Sequence, residues 1–166
     1  MEAREFDEIY KQHARTIAAY ALRRTRSEQD AEEIVAETFL IAWRRHSELR
    51  GDPVPWLYGV ARRVVASHAR RAGRAPLELR EDVAAPPDDS LERTQLIAAL
   101  LRLPELERDA LLLTVWEGLD QRACAQALGC SRVAVALRLR RARAHLRAHA
   151  DEDGTPTTQL LPTEAP

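Results

Sequence analysis

The chain has 166 residues and a formal net charge of −1, with 45% hydrophobic and only 5% aromatic residues, so Ala, Leu, Val and Ile must fill most of any core. That length admits one domain or two small ones. No apolar run approaches a membrane span, Glu2, Arg4, Glu5 and Asp7 open the chain where a leader would be apolar, and Cys124 and Cys130 suit a reducing compartment better than a disulfide framework; a cytoplasmic protein without membrane insertion is expected.

The predicted elements are helices throughout. Phe6, Ile9, Ile17, Tyr20 and Ala21 recur at helical spacing across Glu5–Arg24. Ser27 is positioned to cap a second helix that runs to about His46. That helix gathers acids in its first turns and Arg44 and Arg45 near its end, as the helix dipole favours. Gly51, Pro53 and Pro55 interrupt the pattern, and a third helix is expected from about Val54 to Ala72. Between Gly73 and Ser90 the chain turns to Gly, Pro and acids, which reads as a linker. Helices resume at Ser90–Leu101 and Pro104–Trp116, with Gly118 as a stop, and two further helices complete the second half. From Asp151 the tail of Gly, Pro and Thr is expected to be disordered. The predicted fold class is all-α. Two small helical domains, 1–74 and 91–149, are joined by a flexible linker at 75–90, with a tail at 150–166.

Charge is segregated along this layout. Of the 25 basic residues all but Lys11 are arginine, whose forked donors grip phosphate in a way lysine cannot. Trp56–Arg74 holds Arg62, Arg63, Arg70, Arg71 and Arg74 with no acid, and Ser131–Ala148 holds Arg132, Arg138, Arg140, Arg141, Arg143 and Arg147, again with none. Such positive helical faces are the electrostatic footprint of nucleic-acid binding.

Asp120–Arg147 has the spacing of a helix-turn-helix. Ala125 is small where two helices cross, Gly129 sits where the turn needs positive φ, Ser131 can cap the second helix and Val135 packs it back on the first. In this motif the second helix enters the major groove by its N-terminal part. An enzyme is disfavoured. The two cysteines and five histidines have no zinc-site spacing, and there is no phosphate-cradling glycine loop and no paired-acid constellation. No cofactor is expected.

The segment Asp30-Ala-Glu-Glu-Ile-Val-Ala-Glu-Thr-Phe-Leu-Ile-Ala-Trp-Arg44 resembles the most recognisable helix of bacterial RNA polymerase sigma factors of the extracytoplasmic-function (ECF) group. So do Pro55-Trp56-Leu57-Tyr58-Gly59-Val60-Ala61-Arg62-Arg63, His68-Ala69-Arg70-Arg71, Leu103-Pro104-Glu105-Leu106-Glu107-Arg108, Leu128-Gly129-Cys130-Ser131 and Arg141-Ala142-Arg143. The resemblance spans about residues 5–148. It implies an alternative sigma factor that binds core RNA polymerase through the β′ clamp and β flap, directs it to promoters and helps melt the −10 region.

By position, the resemblance puts Asp30, Glu33, Glu37, Thr38, Leu40 and Arg44 against polymerase. It puts Arg50, Asp52, Trp56, Arg62, Arg63, Ser67, Arg70 and Arg71 at the −10 element, where a base of the melted non-template strand is extruded at a cost of a few kcal/mol. Ser131, Arg132, Ala134, Val135, Arg138, Arg141 and Arg143 fall at the −35 duplex. An anti-sigma factor is a further partner the resemblance allows. Relatives usually carry Asn at the Arg63 position, and Thr and Lys at those of Ala134 and Ala136, so unusual promoter elements are implied. The alternative is a stand-alone helix-turn-helix regulator, which would have no use for the Asp30–Arg44 helix.

Overall fold

The computed structural model describes residues 3–25, 27–49, 51–73 and 90–153. Every regular element among them is helical: α1 (Ala3–Leu22), α2 (Glu28–Arg44), a short 3-10 turn (His46–Glu48), α3 (Val54–Arg71), α4 (Ser90–Arg102), α5 (Glu105–Val115), α6 (Gln121–Leu128) and α7 (Arg132–Asp153). The predicted linker and most of the predicted tail, including Arg74 and residues 75–89 and 154–166, lie outside the described residues. Ser90 begins α4, and α7 runs on through Asp153, past the expected start of the tail.

Local chemistry sets the boundaries. The Ser27 hydroxyl accepts the backbone N–H of Asp30 at 3.0 Å and starts α2. Asp52 accepts the N–H of Val54 at 2.9 Å at the entrance to α3. Asp120 caps α6 by accepting the N–H of Ala123 at 2.7 Å, and Ser131 caps α7 by accepting that of Ala134 at 3.1 Å. Between α6 and α7, Gly129 takes φ of 63°, the left-handed conformation a glycine adopts without steric cost. Pro104 sits just before α5, in the N-cap position, one residue outside the first turn predicted for it.

In the first domain α1, α2 and α3 bury Ile17, Tyr20, Ala21, Ile34, Val35, Phe39, Leu57, Val60, Val64 and Val65. A chain of edge-on rings runs along the α1–α2 seam, with Phe6 5.0 Å from Trp43 and 6.4 Å from Phe39, and Tyr10 4.8 Å from Phe39. In the second domain α4 to α7 bury Leu100, Leu103, Leu111, Leu112, Leu113, Cys124, Val135, Leu139 and Leu146. The two domains are not separate bodies. α3 packs directly on α6, and the buried apolar residues of both halves form one continuous cluster.

Thr38 is fully buried at 0% exposure, and its hydroxyl oxygen has no hydrogen-bond partner among the described residues. A buried hydroxyl without a partner costs about 1–3 kcal/mol. Thr38→Val should therefore stabilise the chain by about 1 kcal/mol, a rise of about 2–4 °C in melting temperature. Thermal unfolding followed by circular dichroism checks it; a lower melting temperature would mean the hydroxyl is satisfied.

Candidate nucleic-acid interface

The helix-turn-helix is formed by α6 and α7. One face of α7 is anchored by Val135, Leu139, Ala142 and Leu146, all buried. The face left outside begins with Ser131, Arg132 and Val133 and continues through Ala136, Arg140 and Arg141. Val135, expected at the −35 duplex, is 0% exposed and belongs to the helix-packing contact instead. Ala134 is only partly exposed. Arg138 is turned back onto the turn, where it donates to the Cys130 sulfur at 3.3 Å. Arg143 is half-buried and already engaged in a contact within the protein. Val133, 78% exposed, stands on the first turn of α7 and was not singled out from the sequence. It is i+2 from the cap and i−2 from the buried Val135, so helical periodicity placed it outward. An exposed aliphatic side chain there is suited to the methyl group of thymine.

α3 carries the second positive face. Arg63, Arg70 and Arg71 are exposed and Arg62 and Ser67 half-buried. Arg63, Ser67 and Arg70 line a groove of about 330 Å³ between α2 and α3, together with Arg45, Glu37 and Ile41. Three guanidinium groups against one carboxylate suit it chemically to phosphate or to an unstacked base. Arg45 is a groove residue that sequence reasoning missed; its place at the end of α2 was assigned to the dipole alone. Trp56 is half-buried against the core, and Asp52 is engaged with the start of α3. Arg50 lies outside the described residues.

The acids of α2 do not stand alone. Arg71 pairs with Glu37 at 2.9 Å, and His68 lies 3.4 Å from Glu33 and 3.9 Å from Asp30. Thus α3 partly neutralises the acids expected to meet polymerase. Exposed pairs such as Arg71–Glu37 contribute little to stability and are easily exchanged for another partner. The outer side of α2 also exposes Leu40 at 46% and Trp43 at 44%, with Arg44 beside them. Thr38 faces the opposite way into the core. It supports this surface and is not on it.

Where the domains meet, the chemistry is unusual for a helical interior. Glu117, just after α5, has a side chain 2% exposed and accepts from Arg23 at 2.5 Å, from Arg24 at 3.1 Å and from the Tyr58 hydroxyl at 3.1 Å. The Arg24 guanidinium also lies over the Tyr20 ring, 3.7 Å from its centre, and Tyr20 meets Tyr58 edge-on at 5.3 Å. Arg62 of α3 donates to Asp109 of α5 at 2.9 Å. Burial raises Asp109 above the usual carboxylate range even though Arg62 lowers it, so the ion pair does not recover its full desolvation cost. Burial also pushes Tyr20 up to about 12, against the opposing charge of Arg24. Tyr58 rises too, through burial first and then the negative charge of Glu117. Away from this contact, burial raises the Cys124 thiol to about 11, which makes it an inert core group at neutral pH.

The tyrosine shifts have a sign. A phenol held protonated in the fold contributes its full stability below its ordinary value of 10.0, and loses it as pH rises through the folded value. Melting temperature should thus fall steeply between about pH 10 and 12, with tyrosinate absorbance from Tyr20 and Tyr58 lagging until the domain contact opens. A titration in which Tyr20 and Tyr58 ionise near 10.0 would show that they are not buried at this contact.

Fold and surfaces together define a two-domain, all-helical DNA-binding protein with a C-terminal helix-turn-helix. Residues 9–75 match the family model Sigma-70 region 2, and residues 93–146 match Sigma-70, region 4. RNA polymerase sigma factor NccH of Alcaligenes xylosoxydans xylosoxydans is 31% identical over 158 residues, covering 86% of this chain and 85% of that protein. ECF RNA polymerase sigma factor SigL of Mycobacterium tuberculosis is 30% identical, covering 88% and 89%. The solved structure of CnrH in complex with the cytosolic domain of CnrY matches with a TM-score of 0.62 at 26% identity, over 92% of this chain and 91% of that one. Sigma factor RpoE in complex with the anti-sigma factor NepR from Bartonella quintana shares the fold, with a TM-score of 0.65 at 23% identity over 91% and 99%. The chain belongs to the sigma-70 family of RNA polymerase sigma factors, in its ECF group.

Proposed function

We propose that this chain acts as an alternative sigma factor without catalytic activity of its own, in the cytoplasm, and that its surfaces divide the work. Leu40, Trp43 and Arg44, with Asp30, Glu33 and Glu37, form the face of α2 that docks on the β′ clamp of core polymerase. Arg63, Ser67, Arg70 and Arg45 hold the melted non-template strand of the −10 element in the α2–α3 groove, with Arg62 and Arg71 beside them. Arg132, Val133, Arg141 and Arg140 meet the −35 duplex, while Arg138 and Arg143 brace α7. An anti-sigma factor is proposed as a regulator, since CnrH, 26% identical to this chain, is held by the cytosolic domain of a second protein.

The observation that supports this reading most is the presence of two arginine faces on different domains, α3 and α7, on the same chain as an exposed apolar strip on α2. A simple repressor needs only α7, and dimerises to read a palindrome. Run-off transcription with core polymerase tests it. A defined transcript that appears only when the chain is added supports the sigma role. No binding to core polymerase would return the stand-alone regulator.

A further inference from the structure

The groove between α2 and α3 has an order that holding phosphate alone does not call for. Its floor is aliphatic, from Ile41, Val60 and Val64. The Arg71–Glu37 pair places the Glu37 carboxylate by the last turn of α3. Arg63 stands about two turns earlier on that helix, about 12 Å from Arg71 along the axis. A two-oxygen acceptor and a forked donor thus border the same apolar floor at separate places. Arg63 and Arg70 make no hydrogen bond or ion pair among the described residues, so their donors are open to a ligand. The Glu37 side chain is 39% exposed, and its pair with Arg71 is of the surface kind that exchanges easily.

That pair of groups matches one base. In a single strand the Watson–Crick edge is open as well as the Hoogsteen edge. Guanine carries two adjacent acceptors, O6 and N7, on one edge and two adjacent donors, N1–H and the N2 amine, on the next. An arginine fork reads O6 and N7, and the two oxygens of a carboxylate take N1–H and N2–H. Adenine sets its N6 amine, a donor, against a guanidinium that only donates. Cytosine gives the carboxylate its N4 amine alone, and thymine gives it a single N–H.

We propose that the α2–α3 groove selects guanine. Glu37 and Arg63 choose the base, which lies on Ile41, Val60 and Val64, while Arg45 and Arg70 hold the phosphates on either side of it. The proposal rests on the reading of this groove as the seat of the melted strand, and adds a base identity to it. It also gives Glu37 a second task beside polymerase docking.

The test is competition for the preformed holoenzyme, the full chain on core polymerase, by single-stranded thymine oligonucleotides that carry one variable base. Core polymerase alone is the reference. Guanine at the variable place should bind about tenfold tighter than adenine, cytosine or thymine. 7-Deazaguanine, which lacks the N7 acceptor, and hypoxanthine, which lacks the N2 amine, should each lose most of that gain. Glu37→Gln should remove the preference without weakening the all-thymine oligonucleotide. Arg63→Gln should move the preference to adenine, whose N6 and N7 an amide reads. Ratios between bases are taken on one holoenzyme, so they do not depend on how tightly a variant holds core polymerase. Equal affinity for the four bases, a preference for another base, or a guanine preference untouched by the analogues or by either substitution would overturn the proposal and leave the strand reading standing. Binding no better than that of core polymerase alone, whatever the base, would overturn both.

Discussion

Replacing Arg132 and Arg141 together by alanine should weaken promoter binding by the polymerase holoenzyme about a hundredfold, and lower the salt dependence of that binding by roughly two phosphate equivalents. Both side chains are exposed on α7, Arg132 as its first residue and Arg141 on the side away from the buried anchors Val135, Leu139, Ala142 and Leu146. Alanine is a strong helix former, so the fold should be undisturbed. Arg132 is also misplaced as a free side chain. It begins α7, where the positive end of the helix dipole opposes a cation by about 0.3–1 kcal/mol. A DNA phosphate at the same place turns that cost into an attraction. Arg147 supplies the control, since it is exposed on the same helix but lies about 22 Å beyond Arg132 and about 9 Å beyond Arg141 along its axis. Arg147→Ala should have a much smaller effect. Equal losses at both ends of α7 would rule out docking by its N-terminal part.

Leu40→Glu should weaken binding to core polymerase at least about 30-fold, which is about 2 kcal/mol. Leu40 and Trp43 lie three residues apart on the outside of α2, opposite Ile34, Val35, Thr38 and Phe39 in the core. An exposed leucine changed to glutamate on a helix should shift folding stability by no more than about 0.5 kcal/mol. At an interface the same change buries an unpaired charge. Leu40 is a cleaner probe than its neighbours. Trp43 meets Phe6 edge-on at 5.0 Å, and Glu37 is paired with Arg71, so changing either disturbs the domain as well as the surface. Competition between labelled unaltered chain and the variant for core polymerase measures the effect. Unchanged affinity with unchanged melting would remove Leu40 from the docking face.

The sequence by itself determined the elements that depend on neighbours along the chain. Ser27 and Ser131 each cap a helix because their oxygens reach an N–H three residues on, and Gly129 takes the turn because it alone there lacks a Cβ. Motifs of the same local kind gave the family, and periodicity placed Val135 against the core. Only the tertiary structure decided what each helical face meets. It buried Thr38, turned Arg138 onto Cys130, and paired the α2 acids with α3. Above all it joined Glu117 to Arg23 and Arg24, more than ninety residues away in the chain. The physical reason is that periodicity fixes which side of a helix is apolar, while a charge at the edge of that side can be solvated, paired locally or clasped by another domain. Those outcomes differ only in the balance of desolvation against pairing, and that balance is set by the groups that folding brings around the charge.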